Sequence, residues 1–348
     1  MKLLVRATNW VGDAVMSIPA LRLIRRLHPG AEITVLARSG VAELYGRENF
    51  TDRVLVYESP GRHTGAAGKL RLAARMRAGR FDCAILLQNA FDAALLAWLA
   101  RIPRRIGYAR DGRGWLLTDA VSPPRPGEIP RHQRYYYLEL LRRAGLVKTL
   151  PECDEIRLQA DAARGRLLFQ RHGLAGDRVV GVSPGAAFGS AKRWLPERFA
   201  ETARRLAADW SAETAVFGTA AEQDLCAEVA GRIGTAARSL AGRTSLAEFI
   251  DLAAACQAFV TNDSGAMHIA SAVGTPTVAV FGPTDWEATG PSSARARIVR
   301  TPVECSPCRY RECPIDHRCM TRVETETVCG EARRLVSLSV HGHANQDH

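Results

Sequence analysis

Along most of the chain, short apolar runs bounded by turn formers alternate with longer stretches in which apolar residues recur at helical spacing. Leu3-Leu-Val-Arg-Ala7 has the first pattern and predicts a buried strand; residues 13–27 have the second and predict an amphipathic helix that stops at His28-Pro29-Gly30. Further strands are predicted at 33–37, 54–57, 83–87 and 105–108, with helices over 68–78, 90–100 and 132–144. The proline-rich stretch 121–130 reads as a loop, and the pattern breaks around 150–154. It then resumes with strands at 179–183, 214–217, 256–260 and 277–281, and helices over 161–172, 196–209, 220–233 and 245–255. Such alternation predicts parallel α/β sheets, and 348 residues exceed what one core usually fills. Two doubly wound domains follow, 1–155 and 156–325, then a C-terminal helix and tail over 326–348, disordered from Val340 to His348.

The turns after the strands carry the candidate chemistry. In Val260-Thr-Asn262-Asp263-Ser264-Gly265-Ala-Met-His268, three residues can cap a helix that starts just past a strand's carboxyl end. Its free N–H groups and positive dipole end form a site for an anion. Gly265 lets a ligand approach the backbone, while Asp263 and His268 add an acceptor and a donor; a capped helix with an incidental histidine fits the spacing equally. Asp13 opens the first helix after a loop with a single glycine, Gly12, so the three-glycine dinucleotide fingerprint is absent. That leaves Asp13 as either a cap or a catalytic carboxylate. Lys192, one of four lysines, follows a loop from Gly185 to Gly189 whose N–H groups and one ammonium suit a diphosphate. Glu222, at the start of another helix, can accept from vicinal hydroxyls or simply complement the helix dipole.

Composition narrows the partners. A net charge of +11, from 47 basic and 36 acidic residues, favours anions, but the arginines are scattered and no zinc-finger, basic-zipper or RNA-binding signature accompanies them. Nucleic acid is therefore not an expected partner. With no run of about 18 apolar residues and no signal region, a soluble cytoplasmic protein is expected. Nine cysteines then imply reduced thiols or a metal. Four of them, Cys305, Cys308, Cys313 and Cys319, crowd together beside His317 with the ligand types of a structural zinc site; unliganded thiols are the competing reading.

Three motifs, in order along the chain, carry a resemblance. Thr261-Asn-Asp-Ser-Gly-Ala-Met-His268 with Pro276 and Phe281-Gly-Pro283 resembles the nucleotide-sugar site of the bacterial heptosyltransferases that build the lipopolysaccharide inner core, glycosyltransferase family nine. Asn9-Trp-Val-Gly12-Asp13 resembles that family's W-V-G-D loop. Pro184-Gly185-Ala-Ala-Phe188-Gly189-Ser-Ala-Lys192-Arg193-Trp194 resembles its P-G-A-x-F-G-x-A-K-R-W segment, closest to the members that add the second heptose. Ala187 departs from the pattern where relatives often carry Glu.

The resemblance implies a GT-B architecture, two Rossmann-like domains facing across a cleft with acceptor on the first and donor on the second. It implies inverting transfer of L-glycero-D-manno-heptose from ADP-heptose to a phosphorylated lipid A–inner core acceptor, with peripheral contact at the inner membrane. Asp13 is then the general base and Lys192 the phosphate counter-charge. Glu222 would hold the ribose and Asp263 the sugar, with Gly185, Ser264, Gly265 and His268 around the phosphates. Transfer would need no metal.

Overall fold

The computed structural model describes residues 1–344, and its chain divides into two compact units, Met1–Cys153 and Asp154–His348. Unit 1 contains β1 (Lys2–Arg6), α1 (Val11–Leu27), β2 (Glu32–Arg38), α2 (Ser39–Gly46), β3 (Arg53–Tyr57), α3 (Gly65–Ala78), β4 (Cys83–Leu86), α4 (Phe91–Leu99), β5 (Arg104–Tyr108), β6 (Asp119–Val121) and α5 (Gln133–Arg143). Its six strands are all parallel in the order β3-β2-β1-β4-β5-β6, with Val5 of β1 in register between Val35 and Ile85. Strands covered by helices on both faces must be apolar on both. Hence every residue of β4 is buried and apolar, and β1 carries the run Leu3-Leu4-Val5 rather than an alternating pattern.

Unit 2 contains α6 (Ala162–Arg171), β7 (Val179–Ser183), α7 (Pro196–Trp210), β8 (Glu213–Val216), α8 (Gln223–Ile233), β9 (Ala237–Ser239), α9 (Leu246–Ala254), β10 (Ala258–Asn262), α10 (Gly265–Ala272), β11 (Thr277–Val280), α11 (Trp286–Thr289), β12 (Ala296–Val299), α12 (Arg318–Thr321) and α13 (Thr325–Ala344). The strand order is β12-β11-β10-β7-β8-β9, the same winding as in unit 1 when each sheet is counted from its own first strand. α7 starts with Pro196 in its first turn, where a missing N–H costs nothing. It buries Phe199, Ala203 and Leu206 in a core that also takes Val328 and Leu335 of α13. Trp194 lies edge-on to Phe199 at 5.2 Å, and its indole donates to Val323 O at 3.2 Å. Each such large apolar side chain contributes about 1.5–3 kcal/mol by leaving water.

In both sheets the winding reverses beside the first strand, between β1 and β4 and between β7 and β10. Ligands of doubly wound sheets bind beyond the strand ends at such points. Three features differ from the sequence expectation. The short edge strands β6, β9 and β12, at three or four residues, are too brief to show a period. The helix expected over 220–233 splits into a 3-10 turn, Ala220–Glu222, and α8. α13 runs through Ala344, so residues 340–344 of the expected tail are helical, while 345–348 lie outside the described residues. Among the described residues no helix is long and apolar enough to cross a membrane.

Candidate active site

In unit 2 the site is built on the turns after β7 and β10. Asn262, the last residue of β10, is fully buried; its Nδ2 donates to Pro184 O at 2.8 Å and its Oδ1 accepts from the Trp194 N–H at 2.9 Å. One side chain thus clamps both ends of the loop between Pro184 and Trp194 onto the neighbouring strand. It does not cap α10, contrary to the sequence expectation. Ser264 is the N-cap residue, yet among the described residues its side chain accepts nothing from the first turn; Ser264 Oγ instead lies 3.3 Å from Thr261 Oγ1. Among the described residues the leading N–H groups of α10 are therefore uncapped by Ser264, at the positive end of the helix dipole.

Lys192 ends the short 3-10 turn Ser190–Lys192, and its ammonium sits 2.6 Å from Asp263 Oδ2 and 5.0 Å from the Phe188 ring centroid. Thr284 Oγ1 donates to the same carboxylate oxygen at 2.5 Å. Asp263 is only 4% exposed, so the pair is largely dry, and neither charge is stable there without a counter-charge. An anionic ligand at the start of α10 would compete with Asp263 for this ammonium. His268 is buried in α10, one turn beyond the cap, and Ala187 is exposed on the loop.

Gly185 has a steric role. A Cβ placed on it would fall 2.1 Å from Glu222 Oε1, so the Glu222 carboxylate occupies the space of any side chain there. Glu222 Oε2 accepts from the Thr219 backbone N–H at 2.8 Å and from Thr219 Oγ1 at 2.9 Å, a capping box that fixes the carboxylate. Oε1 accepts nothing among the described residues, which leaves an acceptor beside the loop. Gly185→Ala should therefore swing Glu222 aside. Loss of the cap should cost only about 1 kcal/mol of stability, but ADP affinity should fall by roughly tenfold, as for one charge-assisted hydrogen bond. Calorimetry and thermal melting read the two effects separately; an unchanged ADP affinity would take Glu222 out of the site.

The cysteine segment braces the same loop from behind. Arg311 O accepts from the Ala191 N–H at 3.0 Å, and a Cβ on Gly189 would lie 2.2 Å from that oxygen. His317 Nε2 is 2.8 Å from Ala191 O, and its backbone N–H points to Cys313 Sγ at 3.3 Å. Among the described residues no group of three or more His, Cys, Asp or Glu is placed to hold a metal ion. Cys305, Cys308 and Cys313, the thiols at which the sequence places a zinc together with Cys319, all neighbour the Cys319 thiol. The His317 ring is engaged with the loop, Cys305 is exposed, and Cys319 packs under Gly282. Burial, then the neighbouring Cys305, Cys308 and Cys313, push the Cys319 thiol up to about 11, which keeps it protonated at neutral pH.

In unit 1, Asp13 lies in the first turn of α1, which begins two residues earlier than expected. Tyr137 of α5 donates its O–H to Asp13 Oδ1 at 3.0 Å. Burial, then the charge of Asp13, hold the Tyr137 phenol well above its usual range, so it remains a donor that orients the carboxylate. Arg6, at the end of β1, is fully buried and pins the loop that follows it: its guanidinium donates to Ala7 O at 2.5 Å, to Leu36 O at 3.3 Å and to Asn9 Oδ1 at 2.8 Å. Burial lowers its pKa to about 10, which still leaves it charged. Sequence reasoning singled out neither residue. Their signals were an arginine inside an apolar strand and three consecutive tyrosines on one helix.

The structure thus brings Gly185, Lys192, Glu222, Asp263, Ser264 and Gly265 to the reversal point of one sheet and places Asp13 at the reversal point of the other. The family model described as glycosyltransferase family 9 (heptosyltransferase) matches residues 69–318. The chain belongs to this family. Lipopolysaccharide heptosyltransferase 2 of Salmonella typhimurium is 33% identical over 309 residues, covering 86% of this chain and 88% of that protein. Lipooligosaccharide heptosyltransferase 2 of Haemophilus influenzae is 32% identical over 320 residues, with the same coverage of 86% and 88%. The structure of E. coli ADP-heptose lps heptosyltransferase II matches with a TM-score of 0.83 and 29% identity, covering 97% of this chain and 99% of that one. This family-nine chain is a glycosyltransferase with the α/β GT-B architecture, each unit a doubly wound sheet.

Proposed function

We propose that this family-nine transferase moves L-glycero-D-manno-heptose from ADP-heptose onto an inner core that already carries one heptose. The observation that carries the reading is the uncapped start of α10 beside Lys192, at the reversal point of the unit 2 sheet. Together they offer a diphosphate two protein counter-charges, so the arrangement requires no divalent metal. The likeness to heptosyltransferase 2 proteins supports the donor and the second-heptose acceptor.

In this mechanism an acceptor hydroxyl oxygen attacks the anomeric carbon while Asp13 takes its proton. The bond from that carbon to the phosphate oxygen breaks, and ADP leaves with the electron pair. Attack opposite the leaving group inverts the anomeric centre. Lys192 and the α10 N–H groups stabilise the charge gathering on ADP, Glu222 Oε1 accepts from the ribose, and Asp263 faces the heptose. The acceptor is lipid-linked and phosphorylated, so the protein works as a peripheral protein at the cytoplasmic face of the inner membrane, where its net charge of +11 is favourable. ADP release measured with two defined cores tests this. The core with one heptose should be turned over at least about tenfold faster than the core with none, the discrimination expected of one properly placed sugar contact. The reverse preference would assign the first heptose instead.

A further inference from the structure

Unit 1 exposes large aromatic side chains on one face. Trp98 is 47% exposed, Trp115 69% and Phe91 40%. They form one cluster, with the Trp115 ring 6.3 Å from Phe91 and 6.4 Å from Trp98. α4, which carries Phe91 and Trp98, packs against α3 on one side and the turn Gly114–Leu116 on the other. α3 adds an exposed Leu70 and four cations, Lys69, Arg71, Arg75 and Arg77, with no acidic residue anywhere in the helix. Among the described residues none of the four makes an ion pair. Clustered exposed aromatics mark an interaction surface, and tryptophan beside unpaired cations suits the boundary between lipid headgroups and acyl chains.

We infer that the face formed by α3, α4 and the Gly114–Leu116 turn docks the protein on an anionic lipid surface. The inference deepens the reading of a lipid-linked acceptor and rests on it. Charge complementarity selects the occupant: the cations of α3 meet headgroup phosphates while Trp98, Trp115 and Phe91 enter the headgroup layer. The position suits the reaction. Phe91 opens α4 just past the carboxyl end of β4, the strand paired with β1, and β1 leads to the loop before Asp13. Phe91 thus lies at the sheet edge that also carries Asp13, and the face extends from there along α4 to Trp98.

Co-sedimentation of the full chain with vesicles tests the docking. Wild-type protein should bind vesicles of phosphatidylglycerol and phosphatidylethanolamine and remain in the supernatant with phosphatidylcholine alone. Replacing Arg71, Arg75 and Arg77 together by Glu should weaken binding by at least roughly 100-fold, from about fivefold for each cation removed. Gln at the same positions, which adds no acid to the helix, should weaken it in the same direction. Trp98→Ala with Trp115→Ala should weaken binding at least about tenfold, and that loss should persist in high salt, unlike the loss from the arginines. All variants should keep the melting temperature and full transfer to a deacylated, water-soluble acceptor. Equal binding by wild type and variants would overturn the docking, as would a sedimentation-velocity dimer that the tryptophan variant dissolves, since a second copy would then occupy the face. Failure of wild type to bind vesicles while it transfers to the deacylated acceptor overturns the docking alone; failure to transfer at all overturns the underlying reading.

Discussion

Asp13→Asn should slow heptose transfer by roughly 10²–10⁴-fold, the usual contribution of a positioned general base. ADP affinity and melting temperature should stay nearly unchanged. Asn keeps the size of the carboxylate and can still accept the hydrogen bond from Tyr137 through its amide oxygen, so the first turn of α1 and its contact with α5 persist. Only the ability to take a proton is lost. Single-turnover transfer and calorimetry on the same preparation separate the two effects. Full activity in the Asn variant would make Asp13 a structural residue, and Asp92, which opens α4 and accepts from Tyr57 O–H at 3.0 Å, would be the next base to test. His132 is less suited, because its Nδ1 caps α5 by accepting from the Arg134 N–H at 3.2 Å.

Lys192→Ala should lower kcat by roughly 10²–10³-fold, the cost of removing one preorganised stabiliser of a developing negative charge. Donor affinity should fall less, because the charge on the leaving ADP is greatest in the transition state. A second effect accompanies the first. The ammonium is the 2.6 Å partner of a carboxylate only 4% exposed, and stranding such a group can cost about 3–5 kcal/mol. Stability and catalysis must therefore be separated. In an Asp263→Asn background no carboxylate is stranded, so removing Lys192 there should leave stability nearly unchanged and still cost turnover by a similar factor. If turnover does not fall further in that background, Lys192 serves only to neutralise Asp263.

How much of this was legible in the sequence follows from where each residue finds its partners. Central strands such as β4 and β10 are buried on both faces and show as runs of apolar residues, Cys83–Leu86 and Ala258-Phe-Val260, so their ends, and the candidate residues just past them, were visible. Lys192, Glu222, Asp263 and Asp13 all sit at such ends. The edge strands β6, β9 and β12 pair on one side only and carry too few residues for a pattern. The clamp by Asn262 was misread as a cap because its partners lie 68 and 78 positions away. The Tyr137–Asp13 bond spans 124 positions and leaves no local trace. Residue type and spacing brought out the cysteines, but not that the fold engages His317 with Ala191 and buries Cys319.

The central claim is metal-free inverting transfer by the protein's own charges. It is tested most directly by one reaction: ADP-heptose and the core bearing a single heptose, incubated with the protein in EDTA, with ADP release quantified and the product's anomeric configuration read by NMR. The account predicts one ADP released for each heptose transferred, full turnover in the chelator, and inversion at the anomeric carbon. Turnover that appears only when magnesium is restored, or a product with retained configuration, would contradict it.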